Sequence, residues 1–197
     1  MRSKHTLGFP ALLLILALPI SCGDLVDANA AKALRESIGH ETVTVFPAFV
    51  LNTEGHTYSV GSAPLLAELM TTEGLGIAQP SGKEVPVQTA WQMNDTSLLR
   101  ECASDLVAYV RANPISTDYA LFPQFLMGES RARAIQCVAV DSRGRIVFAL
   151  LLNGRSPLFR EAPTATTEEC SRLLNLALRS AWREAQEAKG AGEGGGP

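Results

Sequence analysis

The chain reads as a mixed α/β domain, a sheet of about five strands with helices packed on it and a long C-terminal helix. Three observations carry this expectation. Up to residue 112, segments of 3.6-residue apolar period alternate with short β-branched or aromatic runs. Three strand-like runs then follow one another with no helix between them. Finally, Thr166-Thr167-Glu168-Glu169 forms a capping box that opens a last amphipathic helix.

The elements follow in order. Residues 24–38 carry Val26, Ala30, Ala33, Leu34 and Ile38 at helical spacing, and Gly39 stops the helix. Thr42 to Val50 is β-branched and aromatic and predicts one strand, with Pro47 awkward for a central position. Asn52 to Tyr58 reads as a turn-rich loop. Ser62 to Thr72 is helical, with Pro64 in its first turn and Gly74 beyond its end, and Leu75 to Ala78 is a short apolar strand. An irregular stretch, Gln79 to Asn94, contains Pro80, Gly82, Pro86 and Trp91. Asp95 caps a helix over 96–112 whose apolar stripe is Leu98, Leu99, Cys102, Leu106 and Val110.

Strands are then expected at Asp118 to Met127, Ala132 to Val140 and Arg145 to Leu152. The last two join through Asp141-Ser142-Arg143-Gly144, where Gly144 supplies positive φ. The strand at 145–152 is apolar on both faces, which places it under cover on both sides or at an oligomer contact. The final helix runs to about Lys189, with Leu173, Leu174, Ala177, Leu178, Ala181 and Trp182 on one face, and 190–197 is a Gly-rich tail expected to be disordered. Helical crossovers make the early strands parallel, whereas short links make the last three an antiparallel meander.

The N-terminal segment has its own pattern. Arg2 and Lys4 precede a nearly all-apolar run from Leu7 to Leu18, followed by Pro19-Ile20-Ser21-Cys22. The run is shorter than the roughly 20 apolar residues a membrane-spanning helix needs, and this shape belongs to a cleaved export signal. It resembles the signal of bacterial lipoproteins: Ile20 and Ser21 fit the family's lipobox, Cys22 is its cysteine, and Pro19 stands where the family prefers leucine. The resemblance implies removal of residues 1–21 and acylation of Cys22, several acyl chains on one cysteine being a stable anchor. Gly23, rather than Asp, follows the cysteine, which points to the outer membrane and a periplasm-facing domain. Residues 22–41 would then be the acylated N-terminus and a short helix, and 42–189 one α/β domain.

Without residues 1–21 the chain holds fifteen basic and twenty acidic side chains, a net charge of −5. That balance argues against nucleic acid as a partner. Cys102, Cys137 and Cys170 remain, an odd number with no metal-type spacing. They read as buried thiols, with a Cys102–Cys170 disulfide open if the two helices pack side by side.

The element order, the opening strand VTVFPAF, the strand TDYALFPQFL and the hairpin VAVDSRGRIVFALL resemble the α/β domain of periplasmic lipoproteins. Members include the curli-secretion lipoprotein and the outer-membrane activators of penicillin-binding proteins. The chain lacks both the long amphipathic hairpins of the former and the long linker of the latter, so the resemblance implies fold and compartment only.

Catalytic patterns are sparse. His40 and His56 are the only histidines after the signal, His40-Glu41 has no histidine at the spacing of the zinc-protease helix, and Ser59-Val60-Gly61-Ser62 is no nucleophile elbow. No phosphate-binding glycine loop or other cofactor motif occurs. The expectation is a non-catalytic binding or assembly module of the cell envelope. It would be anchored in the bilayer through Cys22, with an envelope protein as partner, Trp91 as a candidate contact and oligomerisation open. The alternative is a thiol-dependent enzyme, which would need an exposed thiolate of low pKa.

Overall fold

The computed structural model describes residues 25–37, 39–88 and 95–193. They form a mixed sheet of seven strands between two layers of helices. The elements are α1 (Ala28–Ser37), β1 (Thr42–Val45), β2 (Ala48–Asn52), β3 (Gly55–Ser59), α2 (Ser62–Thr72), β4 (Ile77–Pro80), α3 (Asp95–Ala112), β5 (Tyr119–Met127), β6 (Ala132–Asp141), β7 (Ile146–Asn153), α4 (Pro157–Glu161) and α5 (Thr167–Glu193). Strands β1, β2 and β4 are joined to the sheet in parallel, and β5, β6 and β7 form the expected antiparallel meander.

The expectation of about five strands is corrected to seven, and both extra strands have a physical origin. The first is a break at Phe46-Pro47, which splits the predicted 42–50 strand in two. β1 and β2 lie end to end along the same edge of β5, pairing with Tyr119–Leu121 and Gln124–Leu126 respectively. Six residue steps from Val43 to Phe49 face five from Tyr119 to Gln124, so the break holds one extra residue, as a bulge does. Side-chain parity reverses across it. Val43 and Val45 enter one core with Ala48 and Val50, while Phe46 enters the other with Phe49 and Leu51. Pro47 and the mid-strand Pro123 both fall at this interruption, where a missing N–H removes least from the ladder. The second extra strand is β3, which occupies most of the predicted loop and pairs with β2 through a turn at Thr53-Glu54.

On one face of the sheet α1, α2, α4 and α5 cover Val45, Val50, Phe125, Ile135 and Leu152. On the other, α3 covers Phe49, Phe122, Val138 and Val140. The folded unit begins before residue 42, since Ala30 and Leu34 of α1 are buried in the first core. Asp27 caps α1, its Oδ1 accepting from Ala30 N at 2.8 Å. The Thr166 capping box forms as the spacing predicts. Thr166 Oγ1 accepts from Glu169 N, and Glu169 Oε2 accepts from the N–H groups of Ala165 and Thr166. α5 extends past Lys189 to Glu193, so the helix takes up part of the expected tail. α4, a five-residue helix with proline at its start, has no counterpart in the sequence reading.

The β4 edge is blunted. Ile77 N and Ser81 N donate inward, to Glu41 O and Val45 O, so alternation turns Ala78 N outward, where Thr71 Oγ1 accepts it at 3.0 Å. The next outward position is Pro80, which has no N–H. At the edge strand β7, α1 packs alongside, and Asp27 N donates to Ile146 O at 2.8 Å.

Candidate functional site

The two site residues expected from sequence, Cys22 and Trp91, lie outside the described residues. The remaining cysteines and histidines are placed clearly. Cys102, Cys137 and Cys170 are free and buried. Cys102 sits in the core beneath α3 and Cys170 in the core on the other side of the sheet, so the disulfide left open between them is ruled out by the intervening strands. Burial pushes the thiols of Cys102 and Cys137 far up, and burial followed by the nearby Glu169 carboxylate pushes Cys170 up to about 12. A thiol so placed has almost no thiolate at neutral pH and is no nucleophile. His40 is exposed in the turn before β1. His56 is exposed on β3, its ring stacked on Phe49 at 5.3 Å between centroids.

Among the described residues no three metal-ligating side chains gather, and no helix is long and apolar enough to cross a membrane. The middle of the sheet carries a polar pair that periodicity did not reveal. Gln124 and Gln136 face each other across β5 and β6, fully buried on the α3 side, with Gln124 Nε2 donating to Phe122 O.

Two surface clefts stand out. The first, about 500 Å³, lies beside the first described residues. Leu25 and Asp27 border it together with Val107 and Arg111 of α3 and Gly144 to Ile146 of the β6–β7 hairpin. Arg111 lies across Gly144, whose missing side chain leaves room for it: a Cβ there would stand 3.0 Å from Arg111 Cγ. The hairpin is tied by Asp141, whose Oδ1 accepts from Arg143 N and Arg145 N while Oδ2 pairs with the Arg145 guanidinium at 2.6 Å. Gly144 has φ of 70°, as its place in the turn predicts.

The second cleft, about 680 Å³, opens between the β5–β6 turn and α4 and is lined by Arg131, Arg133 and Arg160. Arg131 is fastened in place. Its Nη2 donates to Phe159 O at 2.7 Å, its Nε donates to Thr164 Oγ1 at 3.2 Å, and its guanidinium lies 5.2 Å from the Phe159 ring centroid. Arg133 runs over Gly128, where an added Cβ would stand 3.4 Å from its Cγ and 3.5 Å from its Nε. The only advance sign of this cleft is the pair Arg131-Ala-Arg133; its third arginine arrives on a separate segment that no pattern links to the turn.

No family model matches the chain, and no curated protein matches it.

Proposed function

We infer that this chain is a lipid-anchored protein of the bacterial envelope whose α/β domain acts by binding, close against the membrane that holds it. The observation that carries the reading is the sequence pattern of residues 1–22, with Cys22 at its end, taken with a described fold that is already packed at Leu25. Leu25 and Val26 pack against the core beneath α3, and Asp27 is bonded to the edge of β7. Three residues of extended chain reach about 10 Å at most. An acyl group on Cys22 would therefore keep the β6–β7 hairpin and the C-terminal half of α3 near the headgroups. Gly23 favours the outer membrane, and the acidic balance of the domain favours a protein partner over nucleic acid. The burial and raised pKa of all three thiols weigh against the thiol-enzyme alternative.

The test is expression in a bacterium fed labelled palmitate, with intact-mass analysis of the membrane-fraction protein. Acylated mass starting at Cys22, and loss of label and membrane fractionation in Cys22→Ala, are the expected results. An unmodified cysteine in the membrane fraction refutes the anchor. For the binding role, in-cell crosslinking should give a discrete envelope adduct that Trp91→Ala weakens while the fold persists.

A further inference from the structure

We propose that the cleft between the β5–β6 turn and α4 binds an oxyanion, a phosphate or carboxylate group of a ligand, through Arg133 and Arg160, with Arg131 holding the walls together. The inference is independent of the lipid anchor. It starts from charge: the chain is acidic overall, yet three guanidiniums line one cleft and Glu129 is the only acidic side chain among its lining residues. Among the described residues none of the three takes part in an ion pair; the ion pairs there involve Lys32, Arg145, Arg172 and Arg179. Like charges brought together without counter-ions repel, and an oxyanion relieves that repulsion while accepting the paired N–H groups of each guanidinium.

The cleft is also built rather than incidental. Arg131 spends its contacts inside the protein, on Phe159 O, Thr164 Oγ1 and the Phe159 ring, which fixes α4 against the turn. Gly128 N donates to Arg131 O at 2.9 Å and closes the turn. A Cβ at Gly128 would stand 2.9 Å from Arg131 O, so the glycine is what lets the turn close this tightly, with the Arg133 side chain beside it at van der Waals distance. Arg133 and Arg160 are exposed, and neither forms an ion pair with another described residue, which leaves their guanidiniums to a ligand. The volume, about 680 Å³, suits a small polyanion or the anionic end of a longer molecule.

Titration calorimetry of the full chain with pyrophosphate and with citrate, at constant ionic strength and with chloride as the control, tests this. Saturable binding of one or both is expected, weakened about tenfold or more in Arg133→Gln/Arg160→Gln with unchanged melting temperature. Binding of pyrophosphate alone assigns a phosphate source, and binding of citrate alone a carboxylate source. A second variant, Arg143→Gln/Arg172→Gln, removes the same charge elsewhere and should bind as wild type. The proposal is overturned if neither anion binds saturably, or if the two double variants weaken binding equally.

Discussion

Two cores separated by one sheet should respond to mutation independently, and strand β6 allows this to be measured within a few residues. Ile135 and Val138 are both fully buried, Ile135 toward α5 and Val138 toward α3. Ile135→Val deletes one methylene, about 0.8 kcal/mol of transfer free energy, or about 1 kcal/mol with the small cavity included. Val138→Ala deletes two methyl groups, about 1.6 kcal/mol by transfer and about 2 to 2.5 kcal/mol with its cavity. Because the backbone of the sheet lies between the two side chains, the double variant should lose the sum of the two within about 0.5 kcal/mol. The comparison is Ile135→Val with Leu152→Val. These residues are cross-strand partners in the same core, and their coupling should exceed about 0.5 kcal/mol. Urea denaturation with linear extrapolation reads both cycles. A coupling above about 1 kcal/mol between residues 135 and 138 would refute the assignment of these side chains to separate layers.

Two further outcomes are expected. Alkylation by a small maleimide should leave Cys102, Cys137 and Cys170 unmodified in the folded protein and modify all three in denaturant. Fast reaction of any one under native conditions contradicts its burial. The Asp118 carboxyl is held below the usual carboxylate range by the Thr42 N–H and then by the Thr42 hydroxyl, both donating to Oδ2 at 2.8 Å. A depressed folded pKa contributes stability that is present above about pH 4, the unfolded value, and disappears as pH falls through the folded one. The stability gap between wild type and Thr42→Val, read from urea midpoints, should therefore narrow from pH 7 toward pH 3. An unchanged gap shows that the carboxylate charge contributes nothing there.

What was legible in the sequence was what repeats or punctuates. The helices at 28–37, 62–72 and 95–112, the capping box at Thr166 and the positive-φ turn at Gly144 all follow from spacing or from a residue type that one backbone shape requires. The break at Pro47 was not legible as two strands, because β-branched and aromatic residues continue through it and a bulge alters parity without altering composition. β3 was hidden for the opposite reason. Its His56, Thr57 and Ser59 are polar because an edge strand with exposed residues needs no alternating apolar face. The side of the sheet on which each helix packs cannot be read from the helix alone, which is why Cys102 and Cys170 looked like possible partners. The arginine cleft escaped because its walls come from residues 128–133 and 154–160, which only the β5–β6–β7 meander brings together.

The strand that carries both halves of the broken one also sets the order in which the chain can fold. β1 pairs early with β4 and β2 with β3, but the strand that joins these two pairs into one sheet is β5, and Thr42 bonds Asp118 across 76 residues of sequence. A chain emerging N-terminus first holds Val43, Val45, Phe46, Phe49 and Val50 without their central neighbour until residue 126 has appeared. Pairings at that separation close slowly, because the loop entropy is spent before any contact repays it. The β5–β6–β7 meander, whose links are short, is by contrast able to form at once, and it is made last. The sheet is therefore expected to be completed from its late half: the meander supplies the centre, and β1 with β4 and the β2–β3 hairpin dock onto it afterwards. Until then the early apolar segments keep one face exposed, and that is where aggregation of the incomplete chain would start.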